Sequence, residues 1–252
     1  MKVSGLIILF SDFGQSGPYV GHMNAQLIRH APTVPVVHLM HDVPAFDVKA
    51  GAYLLHSFTN DISGNVVFCC VVDPGVGGQR LPIVAKLDDR LFVGPDNGLF
   101  EIICRHAAKP VEVWEILWQP EKLSSSFHGR DIFAVIAARL AMGLEMNGNP
   151  DFKPMLTGLT RFQQWPENLF EVVYIDGFGN IMLGVFARSI QNFNVLKIRD
   201  TEIKFARTFS DVSFGEIFWY ENAYGLVEIA VNGGAAVDIL QVSIGTAVKS
   251  VP

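Results

Sequence analysis

Four apolar runs end in an aspartate followed at once by a turn: Asp12 in FSDFG, Asp42 in LMHDVP, Asp73 in VVDPGVG and Asp96 in GPDNG. In open α/β sheets, ligands sit outside the carboxyl ends of the strands. Four carboxylates gathered there make a polar, partly desolvated crevice suited to holding hydroxyls and handling protons. Any one of them is also explained as a turn initiator that accepts backbone N–H bonds. The most specific segment is DPGVGGQR, from Asp73 to Arg80. Its glycines let the backbone approach a ligand and adopt positive φ, and Pro74 stiffens the turn. Arg80 stands where a folded loop returns it to the Asp73 carboxylate. Neither the GK[ST] ending of a nucleotide P-loop nor a GxGxxG pattern is present, so the segment is a poor phosphate loop.

SSSFHGRDIF (residues 124–133) puts His128 at the start of an amphipathic helix. A helix N-terminus disfavours positive charge, which keeps the imidazole neutral and able to accept or relay a proton. A capping-region histidine with no chemistry is the plainer alternative. Arg130 and Asp131 are expected to serve the helix end and local pairing. IDGFGN (residues 175–180) ends a strand and presents Asp176 and Asn180. A carboxylate beside an amide holds vicinal hydroxyls or a base edge; a simple hairpin turn uses the same residues. The seven histidines show no HxxxH or HExxH spacing, so no metal is expected. His38 and His41 share one strand end, and His30 and His106 fall near helix ends.

These residues need elements to position them. GLIILF, PVVHLM, NVVFCCVV, PIVAKL and RLFVG read as strands, the first and third as continuous apolar runs buried on both faces. Pro18 suits the first turn of a helix whose apolar stripe is Val20, Met23, Leu27 and Ala31. Helices are also expected over 48–58, 98–106 and 132–144. This alternation predicts a mostly parallel sheet with helices on both faces, spanning residues 1–147. Asn147, Gly148, Asn149, Pro150 and Pro154 mark a linker over 148–165. Beyond it, LFEVVYID, NIMLGVF, VLKI, EIFWY, LVEIAV and TAVKSV are short and turn-separated. They predict a smaller antiparallel β-barrel or sandwich over 166–252.

Composition sets the outer bounds. A chain of 252 residues, 50% hydrophobic, buries roughly 70–75% of its surface on folding and is not disordered. No apolar run reaches the ~18 residues of a spanning helix, and Gly5–Phe10 is too short for a signal-peptide core. A net charge of −6 argues against nucleic acid as partner. Cys69, Cys70 and Cys104 form neither a disulfide framework nor a zinc site. They read as buried thiols in a reducing cytoplasm.

SDFG, DPGVG with Arg80, GPDNG, FHGRD, IDGFGN and ENAYGLVEIAVNGG together carry a resemblance that covers nearly the whole chain. In order and spacing it resembles the adenosine-forming S-adenosyl-L-methionine hydrolases, or SAM hydroxide adenosyltransferases, relatives of fluorinase and chlorinase. The resemblance implies an α/β domain followed by a β-rich domain. It also implies a homotrimer whose small-molecule nucleoside substrate lies between subunits, and no cofactor. It places the catalytic set on Asp73, Arg80 and His128. It implies that Asp12 holds ribose hydroxyls, with Phe46 and Phe127 lining the same pocket. Asp176 and Asn180 become methionine- and adenine-side contacts, and Phe209 stacks on adenine. The stretch 223–233, with Val231 and Gly233, supplies backbone contacts. Ala223 and Tyr224 stand where the halogenating relatives use Ser and Arg for the methionine carboxylate, so Asn222 and backbone N–H groups are the candidates here. Those relatives also differ at the Asp73 and His128 positions and carry a small hydroxyl residue in place of Val76. Water is therefore the expected nucleophile. Halide transfer to the same carbon, or nucleoside binding without turnover, are the alternatives.

Overall fold

The computed structural model describes residues 5–190 and 195–251. The chain forms two compact units, Met1–Leu55 with Asp61–Phe162, and His56–Asn60 with Gln163–Pro252. The boundary at Phe162 falls inside the stretch 148–165 that reads as a linker.

The first unit is built on a seven-stranded sheet in the order β2-β1-β3-β5-β4-β6-β7. Its strands are β1 (Leu6–Ser11), β2 (Val36–Met40), β3 (Val66–Val71), β4 (Pro82–Leu87), β5 (Arg90–Pro95), β6 (Glu112–Ile116) and β7 (Phe152–Pro154). β2, β1, β3 and β5 run parallel. From β5 outward the neighbours are antiparallel, so the parallel half is smaller than the pattern predicts. The cause is local. Only Asp88 and Asp89 link β4 to β5, and Asp88 takes a φ of 55°. A two-residue turn of that kind reverses the chain into a hairpin. β6 and β7 escape the apolar pattern because Glu112 and Glu115 interrupt one, and only three residues make up the other. β7 lies within the expected linker, whose Thr160 also donates its N–H and hydroxyl to Asp96.

Side chains of β1, β3 and β5 alternate between two covered faces. Ile7, Leu9, Val67, Cys69 and Val93 pack with Met23 and Leu27 of helix α1 (Tyr19–His30) and Ile136 and Leu140 of helix α4 (Ala134–Ala141). On the other face Phe68 stacks on Phe92 at 4.6 Å, and Phe100 meets Phe92 edge-on. Phe100 opens helix α3 (Glu101–Arg105). Gly51, in helix α2 (Val48–Thr59), lies against Val72 and Leu99. All three cysteines are buried free thiols.

The second unit is a seven-stranded sheet in the order β14-β10-β11-β12-β13-β9-β8. The strands are β8 (Leu169–Ile175), β9 (Ile181–Phe186), β10 (Val195–Ile198), β11 (Thr201–Phe205), β12 (Ile217–Glu221), β13 (Leu226–Val231) and β14 (Lys249–Val251). All neighbours are antiparallel except β11 and β12. β11 was not expected, because only Ile203 of its central residues is buried. The sheet curls into a half-barrel. Val172 donates to the Thr246 carbonyl at 2.9 Å, and Val248 to the Phe170 carbonyl at 2.8 Å. The segment leading into β14 therefore covers the β8 edge, which would otherwise offer unpaired backbone. Helix α5 (Ala236–Leu240) contributes Ala236 and Leu240 to the core with Trp219 and Ile229.

Candidate active site

β3 delivers Asp73 just beyond its carboxyl end, and the glycine-rich loop brings Arg80 back to it. Arg80 Nε lies 3.0 Å from both carboxylate oxygens, and Nη2 lies 2.5 Å from Oδ2. The two side chains are only 9% and 5% exposed, so the pair is largely removed from water. The Phe133 ring lies 5.4 Å beneath the guanidinium.

His128 stands at the head of a π-helical turn (Gly129–Phe133) that runs into α4. Its Nδ1 is 2.9 Å from Arg80 Nη2. A guanidinium only donates, so Nδ1 must be the acceptor. A neutral His128 therefore carries its proton on Nε2. Burial, and then the Arg80 charge, hold this imidazole below its ordinary value. The loop and the His128 segment fit closely: a Cβ on Gly77, which has a φ of 75°, would lie 2.3 Å from the Ser125 carbonyl oxygen. Only glycine combines that φ with that approach. Asp131 accepts from Ser124 N–H and pairs with Arg130, the local role expected of both.

β1 delivers Asp12. Burial raises its carboxyl above the usual carboxylate range, the Phe46 N–H opposes this at 2.9 Å, and the Asp73 charge adds to the rise. Phe46 is 74% exposed and sits at a φ of 65°. A bulky residue there costs on the order of 1–3 kcal/mol, so the fold holds an aromatic ring outward under strain beside Asp12. Phe127 packs edge-on against Phe13 and Tyr19 at 5.8 and 5.3 Å. Of the four strand-end aspartates, Asp12 and Asp73 act on each other. Asp96 is 8% exposed and spent on Thr160. Asp42 is exposed beside His41.

The spacing of His38 and His41 conceals a hydrogen-bonded chain. Ser11 Oγ lies 2.7 Å from His41 Nδ1, and His41 Nε2 lies 2.8 Å from His38 Nδ1. Burial, and then His38, hold His41 down at about 4. The chain ties the end of β1, next to Asp12, to the end of β2.

The second unit holds a cavity of about 620 Å³. Asp176, Asn180, Phe209, Asn222, Tyr224, Val231 and Gly233 all line it. Asp176 Oδ1 accepts the N–H groups of Phe178 and Asn180, and Oδ2 accepts the Asn180 amide. Phe209 meets Phe218 and Tyr220 edge-on. Sequence reasoning did not single out Phe178, Met182, Tyr220, Glu228 or Gly234, which also line the cavity; Tyr220 and Glu228 are the polar side chains among them. Glu228 is 3% exposed and accepts from Tyr220 O–H at 2.5 Å and the Asn222 amide at 2.9 Å. Burial and the adjacent Glu228 keep the Tyr220 phenol protonated. An acidic residue inside the otherwise apolar run LVEIAV was the available signal. The candidate residues thus form two groups, six in the first unit and seven around this cavity.

An α/β unit with a carboxylate–guanidinium–imidazole set at its strand ends, followed by a curled β unit with an aromatic, acidic cavity, defines an enzyme that acts on a small polar molecule. The chain belongs to the SAM hydroxide adenosyltransferase family: the family's N-terminal domain matches residues 7–148 and its C-terminal domain residues 170–249. It is 35% identical to an (R)-S-adenosyl-L-methionine hydrolase of Salinispora arenicola, over 93% of both chains. It is 34% identical to one of Thermus thermophilus, over 96% of this chain and 98% of that one. A crystal structure of an uncharacterized conserved protein from Thermotoga maritima has a similar fold, with a TM-score of 0.85 and 30% identity. The similarity covers 98% of this chain and 100% of that one. Among the described residues no helix is long and apolar enough to cross a membrane.

Proposed function

We propose that this protein hydrolyses S-adenosyl-L-methionine to adenosine and L-methionine. The observation that carries the reading is the Asp73–Arg80–His128 cluster, held by hydrogen bonds of 2.5 to 3.0 Å in a chain of this family. Water attacks C5′ in line, the C5′–S bond breaks, and its electron pair leaves on sulfur as the neutral thioether of methionine. Such a leaving group needs neither a general acid nor a cofactor. The burden falls on the nucleophile, which must be oriented and must lose a proton as the C–O bond forms. Arg80 occupies Nδ1 of His128, so Nε2–H donates to a water lone pair and orients it. The Asp73 carboxylate takes the proton. Asp12 holds the ribose hydroxyls beside Phe46.

The relatives' names specify the R configuration at sulfur, and the same epimer is proposed as the substrate here. The test is chromatography after incubation with an epimer mixture in the presence of chloride. Adenosine and methionine should appear while only the R epimer is consumed. A 5′-chloro nucleoside, or no conversion, overturns the reading. We further propose a homotrimer in which the first-unit residues of one protomer and the second-unit cavity of a neighbour share a substrate. Sedimentation equilibrium should then give about three times 27.8 kDa. Three buried free thiols support a cytoplasmic location.

The assignment to His128 has its own test. Its pKa is lowered, so the ring stays neutral through neutrality and protonates only below the ordinary value of about 6.5. A proton on Nδ1 would face Arg80. kcat/KM should therefore be level near pH 7 and fall with acid. Asp12 titrates on the same side, so the variants separate the two. His128→Ala should lose about 10²-fold in kcat. His128→Gln, which restores an N–H donor, should recover part of that and flatten the acid limb. A Gln variant as inactive as the Ala variant would make His128 the proton acceptor.

A further inference from the structure

His38 and His41 stand three residues apart at the end of β2. In a regular strand that spacing puts two side chains on opposite faces. Here the register with β1 slips: Leu9 pairs with His38, and Phe10 with Met40. Leu39 is the extra residue of a bulge, a device that re-aims the side chains around it. The two rings meet at 5.1 Å between centroids, with His41 Nε2 2.8 Å from His38 Nδ1. His41 is buried, and its Nδ1 lies 2.7 Å from the Oγ of Ser11, which is also buried.

Proton accounting fixes the direction of this chain. Among the described residues, His41 Nδ1 is the one acceptor within reach of the Ser11 hydroxyl proton; the other contact of Ser11 Oγ is a donor, the Phe13 N–H. A buried hydroxyl proton without an acceptor is costly, so Ser11 donates to Nδ1. His41 then carries its proton on Nε2 and donates it to His38 Nδ1. Burial, and then His38, hold His41 down at about 4, which keeps the ring neutral at pH 7. The backbone joins the same corner. Gly14 N–H donates to the His41 carbonyl, Val43 N–H to the Ser11 carbonyl, and Phe46 N–H to Asp12 Oδ2. Phe46 keeps its φ of 65°, a conformation that persists only where the surroundings over-determine it.

Resting on the reading that Asp12 holds the ribose, we propose that His41 is the positioning residue for Asp12. Its bond from Ser11 clamps the loop after β2 onto the loop after β1. The clamp keeps the Phe46 N–H on one oxygen of Asp12 and leaves the carboxylate aimed at the vicinal hydroxyls. His41 acts through Asp12 and not on the reacting atoms, so its effect falls on binding of the nucleoside.

Three substitutions, read by calorimetric titration with adenosine and by steady-state kinetics, test this. His41→Leu removes both ring nitrogens. His41→Asn puts an amide oxygen where Nδ1 stood, so Ser11 keeps its acceptor. His41→Gln puts an amide N–H₂ near the place of Nε2 and leaves Ser11 without one. A lost hydrogen bond of this kind is worth about 10-fold. In the Leu variant the Kd of adenosine and the KM of S-adenosyl-L-methionine should each rise by about that factor. The Ki of methionine, which has no ribose, should stay within about twofold, and kcat within about threefold. The Asn variant should return the adenosine Kd to within about threefold of wild type, and the Gln variant should not. Unchanged adenosine affinity in the Leu variant, equal losses in the Asn and Leu variants, or a methionine Ki that rises in step would each overturn the proposal. A second measurement does not depend on a variant folding. Long-range proton–nitrogen NMR spectra of the wild-type protein at neutral pH should show a neutral His41 protonated on Nε2; a proton on Nδ1 overturns the proposal. Calorimetry needs no turnover. A wild-type protein that binds adenosine yet releases none from S-adenosyl-L-methionine would therefore overturn the hydrolase reading and leave the role of His41 to be decided by the variants.

Discussion

Asp73→Asn should lower kcat for adenosine release by about 10²–10⁴-fold, the usual contribution of a positioned proton acceptor, while KM moves by less than about threefold. The substitution is nearly isosteric, and an asparagine oxygen can still accept from Arg80. Arg80 contacts both carboxylate oxygens, so one becomes an N–H₂ facing an N–H donor and the variant should also lose stability; kcat is therefore read on protein shown to be folded. What disappears is the negative charge that, in the mechanism proposed above, takes the proton as the C–O bond forms. On the proposed reading Asp12 and the second-unit residues carry substrate affinity, so a fall confined to kcat would mark an interaction made only in the transition state. Steady-state kinetics by product chromatography checks this. Near wild-type turnover would remove Asp73 from the proton transfer.

Arg80→Ala should damage both stability and turnover. The Asp73 side chain is 5% exposed, and its charge already acts on Asp12. Removing the guanidinium leaves a buried carboxylate without its partner, which costs about 3–5 kcal/mol. It also frees Nδ1 of His128, so the imidazole is no longer confined to the tautomer that presents Nε2–H. Arg80→Lys should restore part of the stability and little of the activity. A lysine ammonium is a compact charge that cannot reproduce the planar fork contacting both carboxylate oxygens and the imidazole. Denaturant unfolding and kcat, measured together on the two variants, check this. Equal recovery of both by lysine would show that charge alone, and not the fork, is what the site uses.

Much of this was legible in the sequence, for reasons tied to particular residues. The runs of β1 and β3 are apolar because both faces are covered, and Asp12 and Asp73 follow them at the carboxyl ends, where open α/β sheets place ligands. The glycines of DPGVGGQR read as room for a ligand and for positive φ; Gly77 has the positive φ, but what lies against it is the Ser125 carbonyl of the same chain. The alternation could not show which strand-end aspartates meet. Asp96 turned inward to bind Thr160, a contact between residues 64 apart. The antiparallel half of the first sheet was hidden because two residues, Asp88 and Asp89, reverse the chain. β11 was hidden because its Glu202 and Lys204 face solvent. The His128 tautomer lies beyond any sequence pattern, since it depends on which ring nitrogen meets Arg80. Glu228 was in plain view inside LVEIAV, but its place in the cavity, accepting from Tyr220 and Asn222, needed the fold.

The most direct test of water attack at C5′ is isotopic. The enzyme is incubated with S-adenosyl-L-methionine in ¹⁸O-water containing chloride, and the nucleoside product is analysed by mass spectrometry. Adenosine should carry one heavy oxygen, located at the 5′-hydroxyl. Adenosine without the label, or a chlorinated nucleoside in its place, would contradict solvent as the nucleophile.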